Sequence, residues 1–240
     1  MESNGIILYE GPSLIDGKPI VAIATGISKS SSNTKTGGMI QTWILRSDVA
    51  PHIAQKTGDD ISVCGSCIQR PALKTLREKL FGKRRPCYVK TFQAPLSVFN
   101  AYHRKRWIDG EYPHIDTLTD DERDDLVDSV GLSMFRIGSY GDPLAVPLAV
   151  WNFTLRVFGY PQSTGYTHAW RRPGAAAYKN IVMASCDRDS DIRQANKLGF
   201  RTAVIGEKST CPAQIAPDKH TCSTCLKCDG TTGDVVFSNH

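Results

Sequence analysis

Eight cysteines stand out in this 240-residue chain, and seven of them fall into two sets whose spacing suits metal ligation. Cys211, Cys222, Cys225 and Cys228 form a CxxCxxC run with a fourth thiol upstream. Four thiolates in a short polar segment satisfy either a tetrahedral zinc ion or a cubane iron-sulfur cluster. Structural zinc sites usually use two CxxC knuckles separated by a longer loop. Three cysteines at two-residue intervals instead match the runs that hold 4Fe-4S clusters, and Cys211-Pro212 has the cysteine-proline ending found near them. Iron-sulfur is therefore the first expectation here and zinc the alternative.

The second set is Cys64, Cys67 and Cys87, a CxxC knuckle followed at a distance by a third thiol. Three ligands leave one coordination position for something else. On a cubane that position exposes one iron to a small molecule; on zinc it would recruit His52, His103 or a water, and a structural Cys3His knuckle is the plain version. Cys186, at the end of an apolar run, has the surroundings of a small core residue.

Ligands of parallel α/β folds bind beyond the carboxyl ends of the strands. Three predicted strands end in polar groups: Arg136 runs on to Gly141 and Asp142, Tyr166 to His168, and Ser185 to Asp187. Asp142, His168 and Asp187 are the candidate catalytic residues. Each also has a structural reading: Asp142 as a turn former before Pro143, His168 as a buried histidine beside Trp170, Asp187 as a helix cap, and Arg136 as the partner of a carboxylate. The run from Ser28 to Gly38 lacks the glycine of a Walker loop before Lys35 and is expected to be a solvated loop. His103 to Trp107 is expected to be a charged helix end.

The chain must place these groups on a soluble scaffold. Hydrophobic residues make up 40% and charged residues 22%, which excludes disorder and collagen-like repeats. No signal-like segment opens the chain, and the apolar stretch from Leu144 to Phe153 is interrupted and too short for a bilayer. A cytoplasmic protein without a membrane partner is expected, and there reduced thiols favour metal or redox roles over disulfides. A net charge of +5 permits nucleic-acid contact without requiring it.

Apolar runs of strand length are predicted at Met39–Leu45, Arg85–Thr91, Met134–Gly138, Ser163–His168, Ile181–Cys186 and Thr202–Gly206, preceded by a hairpin or cap from Gly5 to Thr25. Helical patterns lie between them. Pro71 opens one that carries Leu73, Leu76 and Leu80, Thr119 and Glu122 have capping-box spacing, and Pro147 opens another. Asp187 or Asp189 would cap a helix that Gly199 ends. This alternation predicts an α/β fold with a parallel sheet, either doubly wound or a (β/α)6 partial barrel. The expected organisation is an N-terminal cap at 1–36, an α/β domain at 37–208 and a cysteine-rich metal-binding extension at 209–240, ordered by its metal.

The cysteine knuckle, Cys87-Tyr88, the strand from Arg136 to Gly141-Asp142, and Tyr166-Thr167 together resemble phage-encoded proteins of the gene product 88 family, from about Gly37 to Gly206. That resemblance implies a bacteriophage or prophage context and a shared fold. More widely, the chain is similar to radical S-adenosylmethionine enzymes, which have a (β/α)6 partial barrel, a three-cysteine cluster with an open iron and often an accessory C-terminal cluster. It departs from them in lacking CxxxCxxC and a glycine-glycine-glutamate segment. The similarity implies a catalytic 4Fe-4S cluster on Cys64, Cys67 and Cys87 and S-adenosylmethionine near Arg136, Gly141 and Tyr166. It also implies a substrate pocket shaped by Asp142, His168 and Asp187, and the phage context suggests a nucleotide or nucleic-acid base as substrate. The alternative is a non-enzymatic zinc protein that contacts host protein or nucleic acid. A third reading is a zinc hydrolase with Asp142 or Asp187 as general base.

Overall fold

The computed structural model describes residues 3–30, 34–73, 87–105, 112–131, 133–159 and 162–238. β1 (Gly5–Pro12), β2 (Pro19–Thr25) and β3 (Ile40–Arg46) pair antiparallel. β4 (Phe135–Tyr140), β5 (Ser163–Thr167), β6 (Met183–Cys186), β7 (Thr202–Gly206) and β8 (Val235–Ser238) then add one after another, each parallel to its predecessor. The result is an open, mostly parallel eight-stranded sheet ordered β1 to β8. A doubly wound sheet reverses its strand order at a switch point. This order never reverses.

Alternation along the strands gives the sheet two different faces. Ala184 and Cys186 look into the main core, which includes the buried Ile44, Phe135, Trp151 and Trp170. Met183, Ala203 and Val235 look the other way and pack with Cys211 and Cys228. The cysteine-rich segment therefore lies against the face opposite the main core. It also supplies β8, whose Val235 is fully buried. A backbone bond from Thr210 N to Val236 O (2.8 Å) and a bond from Val236 N to the Thr210 side-chain Oγ1 (2.9 Å) join the two ends of that segment.

The hairpin expected at the N-terminus exists, but as the antiparallel edge of this sheet and not as a cap laid over it. The strand expected at Arg85–Thr91 is replaced over 87–91 by bends and a turn, while 85 and 86 lie outside the described residues. The reason is topological: β3 pairs directly with β4, so no slot is left, and the Cys87 N–H donates instead to Gln69 O. The helix expected after Pro71 is described only as a short 3-10 turn, Pro71–Leu73, and Leu76 and Leu80 lie outside the described residues. Of the run from His103, Arg106 and Trp107 are also outside them.

Local signals fare better. Thr119 and Glu122 close a reciprocal capping box on the helix Asp120–Val130, with Thr119 N–H on Glu122 Oε2 at 2.8 Å. The helix Leu148–Val157 starts after Pro147, and its Trp151 Nε1 donates to Pro143 O at 3.0 Å, tying it to the turn after β4. The helix Asp189–Lys197 has Arg188 at its N-cap with no side-chain cap, so neither Asp187 nor Asp189 caps it. Instead, Asp191 in its first turn accepts the Asp187 N–H. No helix among the described residues is long and apolar enough to cross a membrane.

Candidate thiol sites at the two faces of the sheet

The first thiol set sits after β3, on a short helix, Ile61–Cys64, that ends at Gly65 with a backbone bond to Ile61 O (2.8 Å). A buried arginine fixes the loop. Arg70 donates to Asp60 Oδ1 through Nε (3.0 Å) and Nη2 (2.7 Å), to Gly65 O through Nη1 (3.1 Å) and to Gly58 O (2.7 Å). Both partners of this ion pair are at most 5% exposed, and burial lifts the Asp60 carboxyl against the pull of Arg70. Gln69, next to Arg70, holds the Cys87 backbone. One guanidinium thus shapes the knuckle that presents Cys64 and Cys67. Sequence reading missed this pair, which has no motif and lies ten residues apart.

The thiols lie within electrostatic reach of one another. Burial first, and then Asp60, Cys87 and Cys67, push the Cys64 thiol well above its ordinary range, and burial pushes Cys87 up to about 11. A metal ion bound at such neutral thiols would displace their protons to solvent.

Facing them is the end of β5. His168 Nε2 lies 4.0 Å from Cys67 Sγ, across 101 residues of sequence, and 3.8 Å from Asp187 Oδ2. Burial opposes charge on this imidazole, but Asp187 and Cys67 outweigh it and raise His168 to about 10. His168, not His52 or His103, is the histidine beside the thiols. His52 Nδ1 and His103 Nε2 are buried without hydrogen-bond partners, and the His103 ring packs on Phe99 at 4.2 Å.

Asp142 does not offer a free carboxylate. Oδ1 accepts Leu144 N–H (3.0 Å) and Thr167 Oγ1–H (2.7 Å), and Oδ2 accepts the N–H groups of His168 (2.9 Å) and Ala169 (3.2 Å). Burial raises its pKa against these donors. With all four acceptor positions filled, Asp142 positions His168. Gly141 is likewise architectural: at φ 88°, an added Cβ would meet Ile44 Cβ at 2.6 Å and Ile44 O at 2.8 Å. Only glycine lets this turn press on β3 and on the helix bearing Cys64, where Asp142 N donates to Val63 O. Cys186 is a core residue, 4% exposed.

The second set occupies the opposite face. Cys211, Cys222, Cys225 and Cys228 line a cavity of about 20 Å³ with Thr164 and Tyr166 of β5, enough for roughly one water-sized atom. Tyr166 meets Phe237 of β8 edge-on at 5.8 Å, and burial, then Cys228, drive its phenol well up. Arg136 Nη2 donates to Tyr88 Oη at 2.9 Å. Burial opposes its charge, but Tyr88, Tyr166 and Cys222 sustain it. The loop before β3 closes over this set: Cys222 N donates to Lys35 O (3.0 Å), and a Cβ on Gly37 would lie 2.3 Å from Ser223 Oγ. The supposed solvated loop meets, at Lys35 to Gly37, the backbone of Cys222 and the side chains of Thr221 and Ser223.

The polar residues expected in one pocket are therefore split between two places. His168, Asp187, Asp142 and Gly141 belong with the first set, and Arg136 and Tyr166 with the second. Among the described residues, no three His, Cys, Asp or Glu side chains form a group placed to hold a metal ion as they stand. No family model, curated protein or solved structure matches this chain. The site must be argued from its own chemistry. What the structure brings together is three half-buried thiols with an imidazole beside Cys67 at one place, and four thiols around an atom-sized cavity at the other.

Proposed function

We propose that this chain is a phage-type metal–thiolate protein. Its parallel strands form a (β/α)6 partial barrel, Cys64, Cys67 and Cys87 hold a 4Fe-4S cluster, and the terminal thiols hold an accessory metal. The strand order supports the barrel, because β3 to β8 are six parallel strands added in one direction without a reversal. The observation that carries the functional reading is the meeting of Cys67 with His168 and Asp187 at the carboxyl ends of β3, β5 and β6, where α/β enzymes bind ligands.

When bound, a three-cysteine cluster would supply an electron to the sulfonium of S-adenosylmethionine, with a nucleotide or nucleic-acid base as substrate class. The chain's own residues supply the setting. Asp142 orients the His168 backbone, Asp187 holds a proton on His168 Nε2 next to the thiols, and Arg70 fixes the knuckle. The test is anaerobic purification followed by metal and sulfide analysis and an absorption spectrum. Iron with sulfide supports this reading, and stoichiometric zinc without iron overturns it.

One observation favours a second reading. His168 Nε2 is close enough to Cys67 to complete a Cys3His zinc site, which would be closed, and the protein would then be a zinc-braced accessory module contacting host protein or nucleic acid. Loss of zinc from the first set in His168→Ala would mark that outcome.

A further inference from the structure

Cys64 and Cys67 close a tight turn. The Cys67 N–H donates to Cys64 O at 3.2 Å, and Gly65 between them sits at φ 56° and ψ −133°. A positive φ at the first central residue, with that closing bond, marks a type II′ turn, which glycine adopts without strain. Such a turn keeps its first and last Cα atoms within about 7 Å, and a disulfide spans Cα pairs roughly 4.4–6.8 Å apart. Arg70 Nη1 braces the middle of the turn, donating to Gly65 O at 3.1 Å.

The two thiols have different surroundings. Both are free and half-buried. Cys64 packs on the main core. Cys67 follows the exposed Ser66 and has His168 Nε2 4.0 Å from its sulfur. As they stand, the thiols of the first set are not grouped around a metal position. A reaction of two thiols needs only the turn that is already closed.

We propose that Cys64 and Cys67 form a thiol–disulfide exchange site whose oxidant is a small aliphatic disulfide, R–S–S–R. The Cys67 sulfur attacks one sulfur of that molecule. A Cys67–S–S–R bond forms, the original S–S bond breaks, and the departing R–S takes up the proton that Cys67 gave up. The Cys64 sulfur then attacks the Cys67 sulfur, the mixed disulfide breaks, and the second R–S leaves with the Cys64 proton. Two protein thiols lose two electrons in all, and one small disulfide becomes two small thiols. Exchange at this turn does not depend on a metal. It competes with one, because the bridge withdraws two of the three thiols of the set.

The full chain, reduced and stripped of metal by a chelator, is equilibrated anaerobically with mixtures of oxidised and reduced glutathione, then acid-quenched, alkylated and peptide-mapped. The Cys64–Cys67 bridge should form with Cys87 left free for alkylation. Its equilibrium constant against glutathione should exceed that of the same pair in the urea-unfolded chain at least about 10-fold, because the backbone of the turn is already fixed. Cys64→Ser should stop at glutathione attached to Cys67, and Cys87→Ser should leave the bridge unchanged.

A constant no larger than in urea, or a bridge that takes Cys87 in place of either partner, would overturn the proposal. So would Cys64→Ser that leaves Cys67 unmodified. Protein purified with metal on the first set should resist exchange until the chelator is added. Exchange that proceeds unchanged with metal bound would remove the metal reading of this set and leave the disulfide site standing. Loss of the bridge with such metal protection intact would do the reverse.

Discussion

The backbone N–H of His168 donates to Asp142 Oδ2 at 2.9 Å, so a carboxylate at the end of one strand fixes the histidine at the end of the next. Thr167 Oγ1 and two further N–H groups complete the shell. Asp142→Asn would turn an NH2 toward donors that need an acceptor. It should lower stability by about 2 kcal/mol, the scale of hydrogen bonds to a charged group with a buried donor left over. Urea unfolding measures this. An unchanged midpoint would return Asp142 to the list of free catalytic carboxylates.

Arg70 is the side chain on which the first thiol loop most depends. Arg70→Met leaves the Asp60 carboxylate buried without its partner, which should cost about 3–5 kcal/mol. Asp60→Leu in the same chain should recover much of that loss, because no buried charge then remains. Thiol-reagent kinetics provide a second readout, with Cys64 and Cys67 reacting faster in Arg70→Met than in the parent.

What the sequence made legible follows from how far apart the interacting groups lie. Thr119 and Glu122 are three residues apart and their capping box is readable on sight. The β4 to β7 strands could also be found, because each is a short run of strand length set between helical patterns or turn residues. Arg70 and Asp60 carry no pattern, and the approach of His168 to Cys67 exists only once β3 and β5 flank β4 in one sheet. The tail misled for a different reason. Its apolar content is low, but Val235 and two of its own cysteines pack on Met183 and Ala203, so thiols serve as core side chains there.

His168 gives a pH dependence for the metal-free protein. Its folded pKa, about 10, lies above the ordinary 6.5. The stabilisation from its ion pair is therefore fully present below about 6.5 and lost as pH rises through about 10. Its imidazole NMR signals should titrate near 10, and Asp187→Asn should move that midpoint down. A midpoint near 6.5 in the parent would remove the ion pair from the site.

The terminal segment separates what metal orders from what the sheet orders. β8 is held by its parallel pairing with β7, by Val235 in the core and by Thr210. The short helix Cys222–Cys225 is held mainly by its own capping box, by Lys35 O and by contact with Gly37. Removing one thiol should therefore act on only part of the segment. In Cys225→Ser, amide exchange should rise from Pro212 to Asp229 while Val235 to Ser238 stays protected, because strand pairing does not need a metal. Loss of protection through β8 as well would mean that the metal, not the sheet, seats the last strand. Unchanged protection throughout would mean that thiol packing on Met183 and Ala203 is sufficient.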